Sequence, residues 1–261
     1  GCSGVVAPPR YPGSMRTDHP ALELARGFLD LAFPASCLLC AEPLDHGPNR
    51  TLCRPCWRLL PLVRGRACDR CGTVDRLGIW DGGCSACRRK RWPHRSLVAG
   101  GAYQAGLRDL IHLLKFQGFE PAARPLARIL SRRLGRQRTI ERHRPELVVA
   151  VPTTFSRRIV RGFNPAERIG RAVARAHALP FDRRALRRAR GSTPQTGLSG
   201  PERRRNVLDA FAATEAVAGR VVLLVDDVRT TGATLAEASR ALRRAGARSV
   251  VAAVVASSSR L

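Results

Sequence analysis

The sequence predicts an α/β sheet domain preceded by a small metal-stapled module. Three observations predict it. Eight of the nine cysteines fall between Cys37 and Cys87, and none follows. Beyond about residue 95, short β-branched runs alternate with longer amphipathic stretches, as in strand–helix–strand units. Val221–Val225 is apolar throughout, as in a strand covered on both faces, and it runs into Asp226, Asp227 and a Thr/Gly-rich helix start.

Composition bounds the rest. The 261 residues suit one or two domains, and 44% apolar content is that of a globular chain. Lys and Arg number 46 against 20 acidic residues, a formal charge of +26, yet only Lys90 and Lys115 are lysine. So strong an arginine skew fits a coding bias. The charge therefore permits an anionic partner without establishing one. The longest apolar run, Val250–Ala256, falls far short of the ~20 residues of a membrane span, and no membrane insertion is expected. The first residues are small, polar and Pro/Gly-rich, with no apolar core of signal-peptide length. Met15 is a candidate natural start, and a cytoplasmic location is expected. The expected organisation is a tail and lead-in helix over 1–33, partly disordered, a cysteine module over 34–95 and the sheet domain over 96–261.

Within the sheet domain, Leu97–Tyr103 reads as a strand and Leu107–Lys115 and Pro121–Leu134 as helices. Leu147–Val151 is a short strand ending at Pro152. Asn164 then caps a helix, with Pro165 at the first position and Glu167 at the third, running to about Ala178. Residues 182–205 are Arg-rich and interrupted by Gly and Pro, which predicts a mobile loop. After the strand Val221–Val225, Leu235–Ala245 is a helix closed by Gly246, and Arg248–Val255 is the last strand.

The cysteines form four Cys-x2-Cys pairs: Cys37 and Cys40, Cys53 and Cys56, Cys68 and Cys71, Cys84 and Cys87. A 20-residue unit is thus used twice. Two thiolates two residues apart reach one metal from a tight turn, and two such turns complete a tetrahedral sulfur shell. The reading is two structural zinc ions, with four disulfides as the alternative. A reducing compartment and the duplicated spacing favour zinc. The spacing leaves open whether the pairs combine sequentially or interleaved. Trp57, Trp80 and Trp92 lie nearby, either packing small cores or stacking on bases.

The segment from Val221 to Thr234 is a buried strand, two carboxylates and a small-residue loop opening a helix. Helix N-termini bind phosphate through backbone N–H groups, and Thr hydroxyls add donors. Two acids on opposite sides of a continuing strand would let one accept from sugar hydroxyls while the other influences metal or charge. Together these describe a sugar-phosphate pocket. The segment resembles the 5-phosphoribosyl-1-pyrophosphate (PRPP) motif of type I phosphoribosyltransferases. With Pro152, Arg158-x2-Arg161-Gly162-Phe163-Asn164, Gln195, Leu198, Glu202, Arg203 and Asn206, the chain resembles the ComF family from about Pro34 onward. That family joins an N-terminal zinc ribbon to a phosphoribosyltransferase-like domain with a twisted, mostly parallel sheet and flanking helices.

The resemblance implies PRPP as ligand. Thr230, Thr231, Gly232, Ala233 and Thr234 would hold the 5′-phosphate, and Asp226 and Asp227 would face the ribose hydroxyls. Val151, Pro152, Thr153 and Thr154 would form the turn approaching pyrophosphate. Arg158 and Arg161 would stand near the leaving group, and Lys115 resembles a family lysine able to reach it. Mg2+ would bind with PRPP, largely through ligand and water. An active protein would displace pyrophosphate from the sugar C1, with Asp226, Asp227, Arg158, Arg161 and Lys115 as the catalytic set. The resemblance also implies a role in DNA uptake during natural transformation, with single-stranded DNA and other competence proteins as partners. A non-catalytic single-strand- or partner-binding module is the alternative. Arg229 stands where the family often has an apolar residue and is expected either to add a phosphate contact or to face solvent. His112 is read as a packed or exposed helix residue, and Arg183, Arg184, Arg187, Arg188 and Arg190 as a solvated face, a cationic lid or a DNA track.

Overall fold

The computed structural model describes residues 36–44, 51–73, 83–87, 90–189 and 210–258. The tail and lead-in helix, Trp80, Arg190 and the segment carrying Gln195, Leu198, Glu202, Arg203 and Asn206 lie outside the described residues. The chain divides into two compact units, Gly1–Leu60 and Pro61–Leu261, with one cysteine group in each.

In the first unit, helix α1 (Arg54–Leu59) follows Cys53, whose sulfur caps it by accepting from the Cys56 N–H. Pro55 stands in its first turn, where the missing N–H costs nothing.

The second unit is built on a four-stranded, wholly parallel sheet. Its strands are β1 (Ser96–Ala102), β2 (Leu147–Ala150), β5 (Val221–Arg229) and β6 (Ser249–Ser257), in the order β1-β6-β5-β2. Helices cover both faces, which is why the strand interiors, such as Val221–Val225 and Val250–Ala256, are apolar throughout. One face (Leu97, Val149, Leu224, Val254) packs on Leu235, Ala238 and Leu242 of helix α7 (Ala233–Arg244). The other receives α3 (Ala123–Arg136) and α6 (Pro165–Ala176). There Gly100 lets Ile129 of α3 close on the sheet: a Cβ would lie 2.8 Å from its Cγ2. Helix α2 (Ala105–Phe116) follows β1 and buries Leu107, Leu110, Ile111 and Leu114. The short helices α4 (Thr139–His143) and α5 (Phe155–Arg161) complete the connections.

Beside β1, the opposite edge from β2, runs the segment that opens this unit. Val63 donates to the Gly100 carbonyl and Ala102 to the Pro61 carbonyl. Leu62 bridges Gly101, where a Cβ would meet the Pro61 oxygen at 2.5 Å.

The predicted elements appear with shifted ends, and one expectation changes. Residues 182–205 do not form one loop. Leu186–Arg188 is strand β3, paired antiparallel with β4 (Phe211–Ala213). Its Leu186 and the preceding Ala185 join the core under α7. Strand β5 also continues four residues beyond Val225.

Candidate functional site

Each cysteine group draws on consecutive pairs: Cys37, Cys40, Cys53 and Cys56 in one, Cys68, Cys71, Cys84 and Cys87 in the other, with the four sulfurs of each within 4.8 Å of one another. The pairing is sequential. Cys40–Cys53 and Cys71–Cys84 sulfurs stand 3.7 and 3.6 Å apart. Zinc–sulfur bonds of about 2.3 Å in a tetrahedron put sulfurs about 3.8 Å apart, whereas a disulfide needs about 2.05 Å. All eight are free thiols. Both groups repeat one further contact, an N–H of the third cysteine donating to the first, Cys53 to Cys37 and Cys84 to Cys68. Burial works to raise the Cys37 thiol, but backbone N–H groups, that of Cys53 foremost, hold it at about 7. Cys71 is lowered by its hydrogen bond with Cys68, the same bond that pushes Cys68 up to about 12. Each group thus has a sulfur held toward thiolate, the form that binds metal. The groups fit a double zinc ribbon. They differ in burial: the second is buried at all four positions, the first only at Cys37.

The other site lies at the carboxyl ends of β2 and β5. These neighbouring strands lead to opposite faces, β2 into α6 and β5 into α7. Ligands of open parallel sheets bind in the crevice at such a point. Val151 donates to the Val225 carbonyl at 2.9 Å, which holds the turn Val151–Thr154 against the start of the acidic pair. Asn164 fixes the turn from behind: its Nδ2 donates to the Val151 carbonyl at 2.9 Å while its Oδ1 accepts from Ala166 N–H at the start of α6. The predicted cap is present. Glu167, though, pairs with Arg171 one turn on. Asn164→Ala removes a cap and strands the Val151 carbonyl. It should cost about 1–2 kcal/mol in urea unfolding, with the parallel sheet retained.

Because β5 continues, Asp226 lies on the α7 face and Asp227 on the other. Asp227 meets Lys115, at the last turn of α2, with 2.6 Å between Nζ and Oδ1, both largely buried. Burial, then the Asp227 charge, push the Asp226 carboxyl up to about 8, against the opposing pull of Lys115. After β5, Thr230 and Thr231 are exposed and Gly232 adopts φ +81° as the N-cap of α7, a conformation that favours glycine. Thr231 Oγ1 accepts from Ala233 N–H, and no acidic residue opposes an anion in the first turn of α7. Arg158 is exposed on α5. Arg161 holds its guanidinium 5.0 Å from the Phe116 ring centre, next to Lys115. The crevice therefore brings together 151–154, Asp226, Asp227, Lys115 and the Thr-rich loop, with Arg158 and Arg161 on its α5 side.

Arg229 settles one of its two expectations: it does not face solvent, and its Nε lies 3.1 Å from where a Cβ on Gly232 would stand. It is 7% exposed, donates to Ser257 Oγ at 3.1 Å and lies over Trp92. His112 bonds Tyr103 Oη at 3.0 Å and touches Phe116 edge-on. Trp92, given no definite role by its spacing, packs on the second cysteine group.

Comparison with known proteins identifies two domains along the chain. Residues 118–260 match the phosphoribosyl transferase domain model, and residues 28–88 match the double zinc ribbon domain model. The chain is 34% identical over 224 residues to the DNA utilization protein YhgH of Escherichia coli K12, covering 84% of this chain and 96% of that protein. It is 31% identical over 218 residues to Competence protein F of Haemophilus influenzae, covering 82% and 93%. Among solved structures, glutamine PRPP amidotransferase from B. subtilis aligns at 23% identity with a TM-score of 0.31, over 42% of this chain and 22% of that one. Among the described residues no helix is long and apolar enough to cross a membrane. With both domain models matched in this order and the relatives covered almost end to end, the protein belongs to the ComF family, a double zinc ribbon followed by a phosphoribosyl transferase domain.

Proposed function

We propose that the crevice between β2 and β5 binds PRPP, and that the protein acts as a Mg2+-dependent phosphoribosyltransferase-like protein in DNA utilization or uptake. The observation that carries this reading is the convergence, at one switch point, of an acidic pair and an anion-ready helix start with the turn 151–154. Thr230, Thr231, Gly232, Ala233 and Thr234 take the 5′-phosphate, aided by first-turn N–H groups that have no partner within the helix. Asp226 and Asp227 accept from the ribose hydroxyls. Val151, Pro152, Thr153 and Thr154 border the pyrophosphate, where Lys115, Arg158 and Arg161 offset its charge. The names of the relatives, DNA utilization and competence, support the wider role.

The acids fit magnesium in one way only. Asp227 is engaged by Lys115, so the pair builds no two-carboxylate cage. An ion here would be held chiefly by ligand oxygens and water, and would neutralise charge on the pyrophosphate. In turnover, an acceptor's lone pair forms a bond to C1 as the C1–oxygen bond breaks, and pyrophosphate leaves with that electron pair. The chain's cations lie on the leaving side. Calorimetric titration with PRPP should give heat with Mg2+ and little without it. Silence in both would overturn the reading. Two zinc ions complete the proposal, each structural and closed by four sulfurs.

A second reading, single-strand binding without turnover, is favoured by one observation. The exposed His112 and Phe116 form a row with Tyr103, and Arg161 lies over its end. Rings and guanidinium are the surface on which unpaired bases stack. Steeply salt-dependent binding of an oligonucleotide, with no pyrophosphate released, would select it.

A further inference from the structure

We propose that Trp92 is a positioning residue that couples the second cysteine site to the phosphate loop, so that a metal held by Cys68, Cys71, Cys84 and Cys87 sets the conformation of Gly232 and the start of α7. The identity of the loop's ligand rests on the PRPP reading; the coupling itself does not.

The indole spans the two sites. At its pyrrole end, Nε1 donates to Cys87 Sγ at 3.4 Å, and the ring packs on the four buried cysteines. At its benzene end, Cζ3 and Cη2 lie 3.2 and 3.3 Å from where a Cβ on Gly232 would stand. Gly232 is the N-cap of α7, so the ring edge abuts the residue that aims that helix's first amides. Neighbours fix the ring in place. Arg229, anchored on Ser257, has its guanidinium 5.6 Å from the ring centre. His94 stacks at 5.3 Å and contacts the Arg70 carbonyl, between Cys68 and Cys71, at 3.0 Å.

The physical consequence follows from the stiffness of these parts. An indole has only two side-chain torsions, and here each end touches a different site. Four sulfurs on one ion hold Cys87 still, and its sulfur then orients the indole. Without the ion the sulfurs repel or protonate, the acceptor for Nε1 moves, and the benzene edge no longer backs Gly232. Anion cradles are sensitive to displacements of about 1 Å.

The test uses the full-length, zinc-loaded protein and its Trp92→Leu and Trp92→Phe variants. Zinc content and melting are measured first, to confirm two ions and an intact fold. Amide hydrogen exchange across residues 229–236 is then followed, and zinc affinity is read by equilibrium competition with a chromophoric chelator, with and without PRPP–Mg2+. Trp92→Leu should speed exchange at 232–235 and weaken PRPP–Mg2+ about tenfold. Trp92→Phe keeps the ring edge at Gly232 but loses the N–H to Cys87, so it should retain part of the loop protection. Coupling is reciprocal: PRPP–Mg2+ should tighten zinc in the second site of the wild type and not in Trp92→Leu. Unchanged loop exchange in Trp92→Leu, or zinc tightened by PRPP–Mg2+ as much in Trp92→Leu as in the wild type, overturns the proposal. A wild type that binds no PRPP overturns the ligand reading instead, and loop exchange still decides the coupling.

Discussion

Replacing Asp226 with Asn is expected to abolish PRPP–Mg2+ binding while making the protein more stable, by a margin that grows with pH. The Asp226 carboxyl titrates at about 8 in the folded protein against an ordinary 3.8. Between those values the native state holds a proton that the unfolded chain has released. Native stability therefore falls as pH rises through that window, by at most about 1.4 kcal/mol per unit, and levels off above it. Asn does not titrate, so the variant avoids the loss. Some of the side chain remains accessible, and water there trims the gain to a few kcal/mol at about pH 8. Urea unfolding of both proteins at about pH 5 and pH 8 measures it. The variant should match the wild type more nearly at the lower pH, and equal stability at the higher one would show that the buried acid is not strained. An ionised carboxylate accepts from hydroxyls more strongly than its protonated form, so under the PRPP reading binding near pH 7 should also release a proton, visible as heat that varies with the buffer's ionisation enthalpy.

The other large effect concerns metal. Elemental analysis should find two zinc ions per chain, and a chelator should remove them in two phases. Three of the four cysteines of the first group are partly accessible, whereas all four of the second are buried. The fast phase should leave the parallel sheet intact, since the first group belongs to the unit ending at Leu60. The slow phase should coincide with loss of cooperative melting in the larger unit. A structural site of this type contributes on the order of 10 kcal/mol to folding, so Cys84→Ser should prevent that region from folding stably. A zinc-free protein with oxidised cysteines would refute the assignment.

Much of this was legible in the sequence because single residues carried several constraints at once. Val221–Val225 announced a doubly covered strand. Asn164 with Pro165 announced a helix start, and the bonds of Asn164 show that it also fixes the turn after β2. The eight cysteines declared their number but not their grouping, since identical spacings serve sequential and interleaved sets equally. Strands β3 and β4 escaped notice because each is three residues long, and β3 reads Leu-Arg-Arg, too short for alternation to register. Helix α5 carries Ile159 and Val160 outward, so it has no apolar stripe to read. Arg229 was open between solvent and the loop, because an arginine in a basic chain carries no burial signal; aromatic packing and the Ser257 hydroxyl take it inside. Trp92 could be flagged only as a neighbour of cysteines, since its approach to Gly232 joins residues 140 positions apart.

Residues 61–63 carry a consequence for how the chain can be divided. Laid along β1, they occupy peptide groups that an outermost strand would otherwise offer to any passing chain. A cut at the change in composition near residue 95 would remove them. A fragment starting there would lose this built-in selvedge, and the glycine pair of β1, too cramped for any side chain, would become a sticky hem inviting foreign strands.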